Sequence, residues 1–271
     1  MNLDRNPVYL DPLTYPNFKT KLVEYKELLL ELNLKNIPAS FYKFGDGDYY
    51  FLRGLPSGSA KPGNRALSRS LTHVELEKFR DNSVTSDYYS CELYPENIGK
   101  FKEVFPTKNL DFPAEFSYIC VASNWYIRNL KNVGIIGADS KIKLIKELCN
   151  KDEYLNKLGF DGFTSFISIP QKYSCDNLDE QLESLREQLS NANSEVFLVG
   201  IGHLKSGVLG LLKQYKKSIY IDVGSGIDAL AGVVDTERPY FGNWTNYQLL
   251  NYDYSSLDLL SFNEKNIEYL G

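Results

Sequence analysis

The sequence predicts an α/β fold: a Rossmann-like, mostly parallel sheet flanked by helices, preceded by an N-terminal helical portion. Three observations predict it. From residue 115 onward, short apolar runs alternate with amphipathic segments. Runs such as Phe197-Leu-Val-Gly-Ile201 are apolar without alternation, as strands covered on both faces are. No linker, repeat or low-complexity stretch interrupts residues 1–271, so one domain is expected.

The elements follow in order. Residues 1–16 are Pro-containing and irregular. In residues 17–34, Phe18, Leu22, Tyr25, Leu28, Leu29 and Leu32 recur at helical spacing. Ser40–Phe44 is a short β-rich run that stops at Gly45-Asp46-Gly47-Asp48. Residues 49–54 read as the start of a helix or as a second strand, 54–64 as a loop and 65–82 as a helix. Strands are expected over 115–123, 133–139, 163–170, 195–202 and 218–224. Helices are expected over 140–150, capped by Ser140, and over 177–192 and 205–217.

Composition narrows the function. With 43% hydrophobic and 24% charged residues, the chain has ample material for a core. Thirty basic against 35 acidic side chains give a net charge of −5, which argues against nucleic acid as the main partner. No run of about 18 apolar residues predicts a membrane span. The first residues lack an apolar signal core, so a cytoplasmic location is expected. The cysteines, Cys91, Cys120, Cys149 and Cys175, form no C-x-x-C pair and read as free thiols. Two histidines, His73 and His203, exclude a multi-histidine metal site.

Three segments carry candidate chemistry. The first is Gly45-Asp46-Gly47-Asp48. Two acids at i and i+2 in a tight glycine turn converge on one point, and a hard divalent cation takes one or two carboxylates with phosphate and water filling its other positions. The same residues also suit a plain turn with two solvated acids. The second is Val199–Gly207, where Gly200 and Gly202 lie between a strand and a helix and Lys205 stands ready as a point charge for phosphate. It lacks the G-K-[ST] of a P-loop and the last glycine of G-x-G-x-x-G. The third is Ile221–Asp228, an acid at a strand end followed by Gly224 and Gly226. It resembles the loop that holds S-adenosylmethionine in methyltransferases, but it stands too late in the chain for that fold.

Taken in order, the K-F-G-D-G-D turn, the ISIP strand with its acidic helix, the late G-x-G-x-x-K segment and the I-D-V-G strand end resemble the GT-D-type glycosyltransferases over roughly residues 35–230. That family carries an R-F-G-D-G-E turn whose D-x-E motif binds a divalent metal and the diphosphate of a nucleotide sugar. Asp46 matches the family's Asp, Asp48 stands in place of its Glu, and Lys43 in place of its Arg. The resemblance implies transfer of a hexose from a nucleotide diphosphate sugar, such as UDP-glucose, to a glycan or glycoconjugate acceptor, as in polysaccharide biosynthesis. Asp46 and Asp48 would hold Mn²⁺ or Mg²⁺, with Gly45 and Gly47 shaping the turn. Gly202 and Lys205 would approach the diphosphate, and Asp222 would touch ribose or acceptor. Tyr240, Phe241 and Trp244 would supply a stacking wall for sugar. No catalytic base is assigned. The alternatives are a nucleotide- or glycan-binding domain without catalysis and, less favoured by position, an S-adenosylmethionine-dependent methyltransferase.

Overall fold

The computed structural model describes residues 17–55, 73–170, 174–233 and 248–254. The strands are β1 Ala39–Phe44, β2 Tyr88–Cys91, β3 Phe112–Pro113, β4 Val133–Ala138, β5 Phe166–Ile169, β6 Val196–Gly200 and β7 Ile219–Asp222. They form one sheet in the order β3-β2-β1-β7-β6-β4-β5, every pair parallel. The first and last strands are therefore central neighbours, with Ser40 paired to Tyr220 and Phe41 to Ile221.

The helices are α1 Phe18–Leu34, α2 Asp46–Arg53, α3 His73–Ser83, α4 Pro95–Val104, α5 Ala114–Ala122, α6 Trp125–Asn129, α7 Asp139–Leu148, α8 Asp152–Leu158, α9 Leu178–Ser190, α10 Lys205–Val208, α11 Leu212–Tyr215 and α12 Gly226–Leu230. They cover both faces of the sheet, as the apolar strands require. Successive strand residues alternate between two cores: Ile135, Leu198 and Ile221 pack on one side, Ile136, Val199 and Tyr220 on the other. Leu29 of α1, Phe116 of α5 and Ile145 of α7 fill the first core. Phe51 of α2, Phe101 of α4 and Leu185 of α9 fill the second. The expected N-terminal helix is α1, and its Tyr25 hydroxyl meets that of Tyr126 at 2.7 Å.

Three expectations are corrected. Residues 115–123 are not a strand: 115–122 belong to α5 and Ser123 caps its C-terminus. Seven of its nine residues are buried, so it shows no helical stripe of polar positions and reads like a covered strand. The helix expected from Ser140 begins at Asp139, which places Ser140 inside the first turn rather than at the cap. The helix expected over 205–217 is broken into α10 and α11. Between them, Gly210 packs so closely on residues 85–86 that a Cβ would come within 2.6 Å of the Thr85 carbonyl carbon. By contrast, α9 starts as predicted, with the Asn177 side chain accepting the Glu180 N–H at 3.1 Å.

The loop expected over 54–64, most of it, and the first part of the helix expected over 65–82 lie outside the described residues; the rest of that helix is α3. Among the described residues no helix is long and apolar enough to cross a membrane.

Candidate functional site

All seven strands point the same way, so the loops that follow them share one edge of the sheet. After β1 and β6 the chain enters α2 and α10, whose Phe51 and Val208 pack in the second core. After β7 it enters α12, whose Ile227 packs in the first. The chain thus leaves β7 toward one face and leaves both neighbours toward the other, which is the position where open α/β sheets take ligands.

The Gly45–Asp48 segment is tighter than a turn. Gly45 is extended (φ −125°, ψ 171°) and α2 begins at the next residue. Asp48 is the third helical residue, and its Oδ2 accepts the Gly45 N–H at 2.8 Å. Asp46 is the first, exposed, with Oδ1 2.8 Å from the Gly47 N–H. Residues two apart on a helix point to different sides, and here one carboxylate faces solvent while the other is 4% exposed. The expected convergence of Asp46 and Asp48 is not formed, because the backbone there is helical.

Lys205 also stands differently from the expectation. Its ammonium lies 2.9 Å from Asp48 Oδ2 and 2.7 Å from Asp222 Oδ2, and donates to the Lys43 carbonyl. It rests 4.9 Å from the Tyr42 ring centroid, and the Tyr42 hydroxyl is 2.7 Å from Ser206 Oγ. Lys205, Asp48 and Asp222 are all buried. Asp222, at the end of β7, accepts the Lys43 N–H at 3.2 Å and the Gly224 N–H at 2.9 Å in addition. Burial works against the charges of Asp48 and Lys205. In Asp48 it is outweighed by Lys205, His203 and the Gly45 N–H, which hold its carboxyl at about 2. In Lys205 it is outweighed by Asp222 and Asp48, which raise the ammonium's pKa above its ordinary value.

The glycines fit this packing. A Cβ at Gly200 would stand 2.4 Å from the Gly224 carbonyl oxygen, so the loops after β6 and β7 touch only because residue 200 has none. A Cβ at Gly47 would meet His203 Cε1 at 2.9 Å; that imidazole stacks on Phe51, 4.8 Å between centroids, with Nδ1 3.7 Å from Asp48 Oδ1. Gly202 has φ +58° and open space beside it.

A second polar group flanks the trio, and sequence reasoning missed it. The half-buried Lys43 ammonium lies 5.1 Å from the Tyr118 ring centroid. The Tyr118 hydroxyl donates to Glu92 Oε1 at 2.9 Å, and Asn97 donates to Glu92 Oε2 at 2.9 Å. Glu115, in the first turn of α5, is 4% exposed; one oxygen accepts the Leu93 N–H at 3.0 Å and Oε2 has no hydrogen-bond partner among the described residues. Burial, with Glu92 close by, pushes this carboxyl up to about 7 against the Leu93 N–H and Lys43. Reading α5 as a strand hid Glu115; the one available signal was a carboxylate in an otherwise apolar segment.

Among the described residues no three His, Cys, Asp or Glu side chains are grouped to hold a metal ion. The donor set that the resemblance implies does not fit one as arranged: Asp46 points away, and Asp48 Oδ2 already carries the Gly45 N–H and the Lys205 ammonium. Tyr240, Phe241 and Trp244 lie outside the described residues. The structure therefore brings Gly45, Gly47, Asp48, Gly202, Lys205 and Asp222 to one edge of the sheet and leaves Asp46 at its rim. No family model matches the chain, and neither a curated protein nor a solved structure matches it.

Proposed function

We propose that the chain is a glycosyltransferase that moves a hexose from a nucleotide diphosphate sugar to a glycan or glycoconjugate acceptor. One observation carries the reading. Three of the four segments on which the resemblance rests, far apart in sequence, meet through Lys205, Asp48 and Asp222 at the ends of β6, β1 and β7. In the transfer, the bond from the anomeric carbon to the diphosphate breaks, a bond to an acceptor hydroxyl forms, and negative charge grows on the leaving diphosphate. Fixed positive charge there lowers the barrier. Lys205 braces the two aspartates and so fixes the loops after β1 and β7. Asp222 has both oxygens engaged, which disfavours the methyltransferase reading, where such an acid must accept ribose hydroxyls.

A second reading, binding of a nucleotide or glycan without catalysis, is favoured by the mutual engagement of Lys205, Asp48 and Asp222, which leaves none of them free as a base. Incubation with a panel of UDP- and GDP-sugars, with Mn²⁺ and with EDTA, separates the two. Release of nucleoside diphosphate from one donor supports the transferase. Binding of a nucleotide with no release from any donor supports the binding domain. Neither release nor binding overturns both.

A further inference from the structure

The sequence offers Lys205 as the cation for phosphate, yet Lys205 is fully occupied. Each neighbouring acid can be followed to its partners. Asp48 holds Lys205 and the Gly45 N–H. Asp222 holds Lys205 and the backbone N–H groups of Lys43 and Gly224. Glu92 accepts from Tyr118 and Asn97. Glu115 accepts from Leu93 through one oxygen. The Lys43 ammonium alone in this group has no carboxylate or carbonyl partner among the described residues. It is half-buried, and loss of water lowers its pKa from the ordinary value, with Asp222 the strongest opposing influence. An ammonium withdrawn from water without a hydrogen-bond partner is costly to the free protein.

Its placement suits a ligand. Lys43 is the penultimate residue of β1 and shares its strand face with Phe41, so it projects beside α5 where the sheet gives way to the loops. Gly224 lies beneath the ammonium with φ +52°, and a Cβ there would stand 3.0 Å from Lys43 Nζ. Any side chain at position 224 would crowd the charge. The Tyr118 ring supports it from the other side without supplying an anion.

We infer that the Lys43 ammonium, and not that of Lys205, is the protein's contact for a phosphate-bearing anion, which under the function proposed above is the diphosphate of the sugar donor. Phosphate oxygens would supply the hydrogen bonds that Lys43 lacks, while Lys205 keeps the loops in place.

The test is calorimetric titration of UDP, inorganic pyrophosphate and uridine into the wild-type chain, Lys43→Gln and Lys43→Arg, with Lys43→Met taking the place of Lys43→Gln if that variant does not fold. The neutral variant should bind UDP and pyrophosphate about tenfold more weakly or worse, bind uridine as the wild type does, and melt no lower. Lys43→Arg should keep most of the affinity. Unchanged pyrophosphate affinity in the neutral variant overturns the assignment. If the wild type binds pyrophosphate but not UDP, and the neutral variant loses it, the contact stands and the nucleotide-sugar reading falls. Binding of neither anion by the wild type overturns both.

Discussion

Asp48 and Glu115 make a controlled pair. Both are carboxyls at the same edge of the sheet, both sit in the first turn of a helix, and both are 4% exposed. Yet Asp48 is held at about 2 and Glu115 is pushed up to about 7. Burial is the largest influence on each and acts in the same direction on both. The difference lies in what faces the oxygens. Asp48 meets an ammonium, an imidazole and a backbone N–H, whereas Glu115 meets backbone N–H groups, has Lys43 only at a distance and Glu92 against it, and leaves Oε2 without a hydrogen-bond partner among the described residues. At this edge the partner, not the depth, decides whether an acid is a fixed charge or a holder of protons.

The largest effect should come from removing the partner. Lys205→Met leaves Asp48 and Asp222 buried without their cation, a change that costs on the order of 3–5 kcal/mol. Urea unfolding at pH 7 measures it, and the gap to wild type should narrow at pH 5 as the stranded Asp48 takes up a proton. A loss below about 1 kcal/mol would mean that Lys205 does not hold these acids.

The next effect is a pH dependence of opposite sign for the two carboxyls. Glu115 binds its proton more tightly folded than unfolded, so its contribution favours the fold below its ordinary value of 4.5 and is lost as pH rises through about 7. Asp48 behaves in reverse: its contribution is present above its ordinary value of 3.8 and is lost as pH falls through about 2. Glu115→Gln removes the first slope. It should raise stability at pH 8 by up to about 3 kcal/mol and change little at pH 4.5. Equal urea midpoints for variant and wild type at pH 8 would show that Glu115 is not strained toward its neutral form.

His203→Ala sharpens the comparison with the smallest expected change. It removes the stack on Phe51 and one neighbour of Asp48, and should cost about 1 kcal/mol in a thermal melt or urea titration. Asp48 should stay ionised at pH 5 by carbon-detected NMR, because Lys205 and the Gly45 N–H remain. A neutral Asp48 at that pH would make the imidazole, rather than the ammonium, its decisive partner.

The sheet was legible where strands are covered on both faces: Val133–Ala138 and Val196–Gly200 are unbroken apolar runs bounded by helix signals. The same reasoning failed at α5, because a helix buried all round and a covered strand have the same hydropathy. The three glycine-bearing segments were also legible as strand ends. The direction of the Asp48 carboxylate was not, since it depends on α2 starting one residue after Gly45. Nor was the occupation of Lys205, or that the Lys43 ammonium has no carboxylate or carbonyl partner among the described residues. Those follow from β1 lying beside β7 and β7 beside β6, an adjacency that no local pattern encodes.

That adjacency also sets a schedule for folding. Lys43 and Asp222 bond across 179 residues, and the central strand pair of the sheet joins one end of the described chain to the other. During synthesis β1 emerges early with only β2 to pair with, and its other edge stays open until β7 leaves the ribosome. High sequence separation of this kind slows folding and prolongs the life of unpaired edges. Lys205 gains its second acid only at that same late step. The edge on which the proposed chemistry depends is thus the last part of the sheet to close, and chains cut short before residue 222 would carry two open strand edges prone to aggregation.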